Sequence, residues 1–307
     1  MNCVILGGGG FLGYHLCQAL LTAGHRVRVF DRPNLKRFSL PDNGGDAEWI
    51  EGDFVNQEDL EPAISGCDII YHLVSTTLPK SSNDNPVYDM ETNVIGTLRL
   101  LDLAKNHNKK IIFVSSGGTV YGIPEEVPIK ESHPTNPICS YGIAKLAIEK
   151  YLQLYHHLYN LDYCIFRLAN PFGERQKVTA AQGAIAVFLH KALHDQTIEV
   201  WGDGTVVRDY VYVKDAIAPL VKAITYSGDC RIFNIGSGEG KSLNEVVAAI
   251  GALLGRPIRY THVQARAFDA PSNVLDITLA ARFLDWAPKT SFHEGLSRTL
   301  RWIVDHE

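Results

Sequence analysis

Short apolar runs alternate with longer amphipathic segments through the first half of the chain. The apolar runs predict strands at residues 3–6, 27–30, 49–50, 69–71, 111–114 and 163–168, and the longer segments predict helices at 11–23, 86–105 and 141–159. Continuous apolar strands joined by helical crossovers are typical of a parallel sheet that is covered on both faces. The pattern therefore predicts the α/β class, with a doubly wound parallel sheet in the first half of the chain.

The pattern becomes less regular after residues 171–173. Short strand-like and helix-like stretches mix there, and turn signals such as Gly202-Asp203-Gly204 and Gly236-Ser237-Gly238 are frequent. We therefore expect a smaller mixed α/β lobe. No flexible linker separates the two parts, so we expect a cleft between them.

Composition narrows the classes of function. The 307 residues carry a formal net charge of -5, whereas general nucleic-acid binders usually have a basic excess. No apolar run is long enough to cross a bilayer, and the apolar start lacks the basic segment that opens a signal peptide. The six cysteines are scattered, which favours free thiols in a reducing compartment and no metal site. These features predict a cytoplasmic protein without nucleic-acid or membrane partners.

A glycine-rich run, Gly7 to Gly13, follows the first predicted strand and opens the first predicted helix. Glycines let backbone N–H groups approach a diphosphate, and the helix N-terminus favours its negative charge. The run fits both G-x-G-x-x-G from Gly8 and G-x-x-G-x-x-G from Gly7, so the spacing leaves both open. Asp31 ends the second strand, where a carboxylate accepts hydrogen bonds from an adenosine ribose and repels a 2′-phosphate. The run predicts NAD in preference to NADP, although the neighbouring Arg32 argues in the opposite direction.

Tyr141 and Lys145 lie four residues apart on a predicted helix, so they share one face. A phenol is a poor base unless a nearby cation stabilises its phenolate, and Lys145 supplies such a charge. The hydroxyls of Ser115, Ser116 and Thr119 follow the strand at 111–114, so we expect them at the carboxyl edge of the sheet, where ligands of α/β sheets bind. A polar turn explains the same residues without any function.

Taken in order, these motifs resemble the extended short-chain dehydrogenase/reductases, the NAD-dependent epimerase/dehydratase family, and within it the UDP-glucose 4-epimerase branch. The motifs are the glycine-rich turn, Asp31, Gly52-Asp53-Phe54, His72-Leu73-Val74-Ser75, Asn93-Val-Ile-Gly-Thr97, Ser115-Ser116 with Val120-Tyr121-Gly122, Tyr141-x-x-x-Lys145, Arg167-Leu-Ala-Asn170-Pro-Phe-Gly173, Trp201-Gly-Asp-Gly204, Arg208-Asp209-Tyr210-Val-Tyr-Val213 and Arg266-Ala-Phe-Asp269. The resemblance covers nearly the whole chain. Each motif is weak, but the ordered set is highly specific.

The resemblance implies a role for each matched position. The implied cofactor-binding residues are Gly7, Gly10, Phe11, Leu12, Asp31, Arg32, Asp53, Phe54, Leu73, Val74, Ser75, Asn93, Ser115, Tyr141, Lys145 and Leu168. The implied substrate-binding residues are Asn170, Trp201, Arg208, Arg266, Asp269 and Asn273. Among them, Asp53 and Phe54 would meet the adenine. Asn170, Arg208 and Arg266 would bind the substrate's diphosphate. Tyr141 would be the catalytic base and Lys145 its partner.

The chain departs from the family pattern at Gly117, where a catalytic Ser or Thr is usual. Three possibilities stay open: Ser116 supplies the hydroxyl, Thr119 supplies it, or the donor is absent. A second feature concerns the far wall of the sugar pocket. The resemblance places Asn273 where a tyrosine would exclude an N-acetyl group, so the smaller Asn273 would admit one. The alternative interpretation is that Asn273 is a solvated turn residue.

The resemblance also implies a domain division and a reaction. Residues 1–175, with about 211–236 returning to them, would form a Rossmann-type NAD-binding domain, and 176–210 with 237–307 would form the sugar-nucleotide lobe. The implied reaction is C4 epimerisation of a UDP-hexose or UDP-N-acetylhexosamine through a transient ketone. The alternatives are a dehydratase, a reductase or a non-catalytic NAD-binding sensor. Gly118 and Thr119 stand where the family's dehydratases carry an Asp-Glu pair, and the retained Tyr141–Lys145 pair argues against the sensor. A homodimer is common in the family.

Overall fold

A seven-stranded parallel sheet forms the centre of the protein, with strand order β10-β6-β5-β4-β1-β2-β3. The computed structural model describes residues 1–35, 37–38, 46–105, 109–178, 183–265 and 270–306. The strands of this sheet are β1 (Asn2–Leu6), β2 (Arg26–Asp31), β3 (Glu48–Glu51), β4 (Ile69–His72), β5 (Lys110–Ser116), β6 (Asp162–Leu168) and β10 (Ile232–Ile235). The order reverses between β1 and β4, which is the doubly wound arrangement, so the predicted fold class is confirmed.

Helices cover both faces of the sheet. Among the described residues they are α1 (Phe11–Thr22), α2 (Gln57–Ile64), α3 (Pro79–Asp84), α4 (Pro86–Asp89), α5 (Gly96–Ala104), α6 (Ser140–Tyr159), α7 (Ala184–Leu193), α8 (Val213–Lys222), α9 (Leu243–Leu254), α10 (Thr278–Leu284) and α11 (Phe292–His306). The apolar faces of these helices pack on strands whose side chains are buried on both sides, such as Ile69–His72. Each predicted strand and helix of the first half exists, whereas α2 and α3 were not predicted.

The predicted helix at 86–105 is interrupted by a π-helical segment, Met90–Ile95. Side chains there bind carbonyl oxygens that a regular helix would use. The Asn93 amide donates to Asp89 O at 3.0 Å, and the Thr97 hydroxyl donates to Asn93 O. Such competition loosens the i→i−4 ladder and accommodates the wider turn. The apolar periodicity does not reveal the π-helical segment, because that segment depends on side-chain hydrogen bonds. The sequence therefore predicted a single helix.

A smaller mixed sheet forms the second part of the molecule. Strand β9 (Val207–Tyr212) pairs with β7 (Asn170–Phe172), β11 (Gly240–Ser242) and β13 (Ser272–Asn273). Two further strands, β8 (Ile198–Trp201) and β12 (Tyr260–Val263), pair with each other. The mixed sheet agrees with the expected second lobe, while the residue division between two domains stays a prediction.

The structure bears on two expectations from composition, the free cysteines and the lack of a membrane-spanning segment. All six cysteines are free thiols; five are buried and Cys230 is partly so. Within the described residues, no helix is both long and apolar enough to span a membrane.

Candidate functional site

The glycine-rich turn lies at the carboxyl end of β1, where the strand order reverses. Gly7 has φ +78°, and a Cβ there would lie 2.9 Å from the backbone N of Val74. A Cβ at Gly13 would lie 2.2 Å from Gly8 O, so α1 packs directly on the turn. Gly10 precedes α1, and no side chain caps the helix. The geometry requires glycine at Gly7, Gly8 and Gly13, whereas a Cβ at Gly10 would lie no closer than 3.7 Å to Gly7 O, so both spacings stay open. The turn presents uncapped N–H groups at a helix N-terminus.

Asp31 lies beside this turn at the end of β2. Its carboxylate accepts a hydrogen bond from the backbone N–H of Gly9 at 2.9 Å and another from Arg32 N at 2.8 Å. The Arg32 side chain is exposed. The turn and the predicted ribose ligand thus come from two strands and meet at one edge of the sheet.

The next cofactor positions divide between exposed polar groups and core side chains. Asp53 is exposed, and its carboxylate accepts from Val55 N at 3.1 Å. The Phe54 ring is 6 % exposed and packs on His72 and Gly96. The ring is therefore a core group, and the contact of Phe54 with an adenine stays a prediction. Leu73 and Val74 are partly buried where β4 meets the glycine turn.

The side chain of Asn93, a predicted cofactor-binding residue, is engaged within the protein. Its amide oxygen accepts from Thr76 N, and its amide nitrogen donates to Thr76 Oγ1 and to Asp89. A fully engaged, buried amide supports the loop that follows β4. The role of Asn93 in cofactor binding stays a prediction, and the sequence pattern cannot show what an amide already binds.

Tyr141 and Lys145 come together as predicted, in the first turns of α6. The Lys145 Nζ lies 5.7 Å from the centre of the Tyr141 ring and donates to Val114 O at 3.0 Å. Burial raises the pKa of Tyr141 to about 12, while a hydrogen bond with the Ser75 hydroxyl acts in the opposite direction. Burial lowers the pKa of Lys145 to about 8, against the attraction of Asp89 and Glu149. Burial thus opposes the lysine cation that the phenol needs, and the two carboxylates favour it.

The three candidate hydroxyls differ in what they contact. The Ser115 hydroxyl donates to Glu149 Oε1 at 2.5 Å in the core, so only the backbone of Ser115 can serve a cofactor. Ser116 is partly exposed at the end of β5. The Thr119 Oγ1 is buried and has no hydrogen-bond partner among the described residues. Ser116 is therefore the more accessible of the two candidates for the missing hydroxyl.

Gly117 is glycine because its neighbours leave no room. A Cβ there would lie 2.5 Å from Leu275 Cδ1 and 3.0 Å from Arg167 O. The Gly117 carbonyl accepts from Asn273 Nδ2 at 2.9 Å. Asn273 is 1 % exposed, so its interpretation as a solvated turn residue is wrong. Leu275 was not identified from the sequence, since nothing in an apolar residue marks it as the neighbour of a distant glycine.

Three of the six predicted substrate residues lie on the small mixed sheet. Asn273 on β13 pairs with Arg208 on β9, and Asn170 lies on the adjacent β7. The Arg208 guanidinium donates to Val207 O and to Ala270 O at 2.7 Å, and Asn170 donates to Asp209 O. The Trp201 side chain ends β8 and is 37 % exposed.

The remaining predicted residues either lie near the sheet edge or lie outside the described residues. Phe11 and Leu12 open α1, and Leu168 ends β6, where its carbonyl accepts from Gly117 N. Arg266 and Asp269 lie outside the described residues. No group of three or more His, Cys, Asp or Glu side chains within the described ranges is arranged to hold a metal ion.

Asp89 and the Glu149–Arg167 ion pair are buried near the Tyr141–Lys145 pair, and the sequence analysis assigned none of these three residues to the site. Asp89 is fully buried and accepts from Ser140 Oγ at 2.7 Å. Glu149 and Arg167 form a buried ion pair at 2.7 Å. Signals existed for both: Arg167 interrupts an apolar strand, and Asp89, Asn93 and Thr97 recur every four residues on one helical face. Recurring polar residues at that spacing indicate a buried polar network beside the site.

The comparisons with known proteins agree with this site. Residues 3–236 match the model of the NAD dependent epimerase/dehydratase family. A curated relative, the putative UDP-glucose 4-epimerase of Methanocaldococcus jannaschii, is 34% identical over 99% of this chain and 98% of its own. The solved UDP-glucose 4-epimerase of Thermotoga maritima with UDP-glucose has a TM-score of 0.92 at 32% identity and covers 99% of both chains. The solved UDP-glucose 4-epimerase of Thermus thermophilus, in complex with NAD, has a TM-score of 0.91 at 30% identity and covers 100% of both.

The described residues also fit the cofactor that the family requires. A left-handed Gly7, an uncapped helix N-terminus and the Asp31 carboxylate suit a diphosphate and an adenosine ribose. The NAD prediction is thus confirmed, and the protein is an NAD-dependent epimerase, an isomerase. A family model matched over more than half of the chain, with a relative above 30% identity along its full length, shows that the chain belongs to the NAD-dependent epimerase/dehydratase family.

Proposed function

We propose that the protein interconverts the C4 epimers of a UDP-hexose or UDP-N-acetylhexosamine through a transient 4-keto sugar. The observation that carries the proposal is the Tyr141–Lys145 pair, which lies on α6 at the same sheet edge as the glycine-rich turn. A base beside a bound nicotinamide suits removal of a hydroxyl proton from a carbon that also loses hydride. Supporting evidence is the UDP-glucose in the solved Thermotoga maritima relative.

The residues of this chain divide the work. Bound NAD supplies the hydride acceptor and donor. Tyr141 takes the proton of the substrate hydroxyl and later returns it. Lys145, held by Val114 O, places a fixed positive charge beneath the phenol and lowers the free energy of the phenolate. Arg208 and Asn170 on the small sheet are the proposed ligands of the diphosphate.

A panel of sugar nucleotides tests the reaction. We expect purified protein, without added NAD(H), to convert UDP-glucose or UDP-N-acetylglucosamine to its C4 epimer. Tyr141→Phe is the control that excludes contaminating activity. Loss of water from the sugar would indicate a dehydratase. A product formed only with added reduced cofactor would indicate a reductase. NAD binding without any turnover would indicate a sensor, and each of these three results contradicts the proposal.

The cofactor preference rests on Asp31. Its carboxylate stands beside Gly9 and repels a 2′-phosphate, so we expect tighter binding of NAD than of NADP. Titration of the cofactor-free protein with both measures this. Equal or tighter binding of NADP would mean that Arg32 governs the pocket.

The size of the sugar is proposed to depend on Asn273. A side chain smaller than tyrosine leaves room at the sugar's second carbon, so an acetamido group is accepted. The measurement is the ratio of kcat/KM for UDP-glucose and UDP-N-acetylglucosamine on wild type and Asn273→Tyr. Because Asn273 also supports Gly117, Asn273→Ala serves as the matched control for that lost contact. An unchanged ratio in Asn273→Tyr would show that the gate lies elsewhere.

We also propose that the protein forms a homodimer and works in the cytoplasm. The outer face of α6 exposes Ile143, Leu154 and Leu158, and Ile95 of the neighbouring π-helical segment is exposed as well. A second copy that packs helix on helix would cover this stripe. The free thiols support a reducing compartment. Light scattering should give twice the chain mass, and Leu154→Glu with Leu158→Glu should give one chain mass.

A further inference from the structure

Asp89 is a buried carboxylate that the proposed reaction does not use directly. It ends α4, is 0 % exposed, and no ion pair joins it to a Lys or Arg of the described residues. Three neutral donors hold it: Thr77 Oγ1 at 2.5 Å, Asn93 Nδ2 at 2.9 Å and Ser140 Oγ at 2.7 Å. A buried charge without an ionic partner is costly, so its retention calls for a reason.

The three donors come from different segments that meet around the catalytic helix. Thr77 follows β4, Asn93 lies in the π-helical segment, and Ser140 is the first residue of α6. Side chains of α3 add to this arrangement. Ser82 Oγ accepts from Tyr141 N, and Asn83 Oδ1 accepts from Ser140 N, each at 2.9 Å. These contacts cap the start of α6, whose N-cap residue makes no capping bond of its own.

The Asp89 charge also reaches the Tyr141–Lys145 pair. Its negative charge raises the pKa of Lys145, which burial lowers, and it raises the pKa of Tyr141. An anion at the N-terminus of α6 is favoured by the helix dipole as well. The carboxylate thus acts on the pair in two ways, through the start of the helix and through its charge.

We propose that Asp89 is the positioning residue of the Tyr141–Lys145 pair: through Ser140 it fixes the start of α6, from which both side chains project, and it places a buried carboxylate at that end of the helix. The proposal rests on the proposed function for its kinetic consequences only. The other titratable groups around the pair are His72 on β4, Cys139 before α6, and Glu149 of α6 with its partner Arg167 of β6. Burial and the lysine hold the pKa of His72 well below its usual value, so it stays neutral.

The direct test titrates Lys145 in cofactor-free protein that carries 13C at the lysine Cε, with the signal assigned by its loss in Lys145→Arg. Wild type should titrate near pH 8. Asp89→Asn keeps the shape and removes the charge, so its midpoint should fall by about one unit. Asp84→Asn removes an exposed carboxylate of α3 and should leave the midpoint unchanged. An unchanged midpoint in Asp89→Asn would overturn the electrostatic role. Asp89→Ser, which leaves space for a water molecule, makes the same charge change if Asp89→Asn does not fold.

A kinetic test separates the two roles. In Asp89→Asn both limbs of the pH profile of kcat/KM should move to lower pH, because the phenol and the ammonium both lose a negative neighbour. Ser140→Ala keeps the charge and removes one contact, so it should lower kcat about tenfold without moving the limbs. A normal kcat in Ser140→Ala would overturn the role at the start of α6. If no sugar nucleotide turns over in wild type, the proposed function fails while the lysine titration still decides the charge.

Discussion

The predicted cofactor side and the predicted substrate side of the site are built in different ways. On the cofactor side, the groups that would meet a diphosphate come from one short stretch, and the N-terminus of α1 is left uncapped. On the substrate side, Asn170, Arg208 and Asn273 come from three strands, and each already binds a backbone carbonyl of the protein itself. The first site presents unused backbone N–H groups, whereas the side chains of the second site share their hydrogen-bonding groups with the protein's own backbone. We infer that the cofactor meets a preformed site.

Removal of the Tyr141 hydroxyl gives the largest effect and tests whether chemistry is separate from both binding halves. Tyr141→Phe should reduce kcat by about 10²–10⁴-fold, because only the transferable proton is lost. The Kd of NAD should stay within about twofold, since the ring and the helix remain. Single-turnover kinetics and a cofactor titration measure the two quantities. Near-normal turnover would contradict the mechanism.

A methyl group at Gly7 tests whether the cofactor side is preformed. Gly7→Ala should weaken NAD binding by about 10–100-fold, because φ +78° is strained for alanine and its Cβ meets Val74 N at 2.9 Å. Gly24→Ala is the matched control, since Gly24 has φ +80° but no atom within 4 Å of the added Cβ. Calorimetric titration of both variants gives the comparison. Equal loss of affinity in the two would mean that backbone strain alone weakens binding.

A serine at position 117 tests the contact between the end of β5 and Leu275, where the two predicted sides of the site meet. Gly117→Ser should lower the free energy of unfolding by about 1–3 kcal/mol and should not raise kcat, because its Cβ collides with Leu275. Gly118→Ser is the control, since its Cβ would lie no closer than 3.8 Å to Ser116 Oγ. Urea unfolding of both variants measures the difference. A faster Gly117→Ser enzyme would show that the usual hydroxyl fits after all.

The smallest effects concern the two remaining hydroxyls. Ser116→Ala should lower kcat about tenfold if this partly exposed hydroxyl donates to the substrate oxygen. Thr119→Val should change kcat by less than about threefold and stabilise the protein by about 1 kcal/mol, since it removes a buried hydroxyl that has no described partner. If neither variant slows turnover, Tyr141 acts without a second hydroxyl.

The contrast between local and distant contacts explains which features could be predicted from the sequence. The strands, the glycine turn, Asp31 and the Tyr141–Lys145 pair follow from local spacing, because each is set within one or two elements. The π-helical segment, the Asn93 contacts and the Leu275 contact with Gly117 do not, because they depend on which distant side chains meet. The burial of Asn273 also depends on distant side chains and could not be predicted from local spacing. Spacing predicts what a helix or a turn presents, but not whether a neighbour has already bound it.

The contact of Gly117 with Leu275 also has a consequence for evolution. A Cβ at 117 would lie 2.5 Å from Cδ1 of the buried Leu275, so a larger residue at 117 requires Leu275 to shift or to become smaller. Replacement of Leu275 by a smaller residue would make room for serine at 117. In a chain that still carries Gly117, the same replacement leaves a cavity at position 275, which is 0 % exposed. The two positions are therefore expected to covary among descendants of this chain, with small residues at 275 wherever 117 bears a side chain.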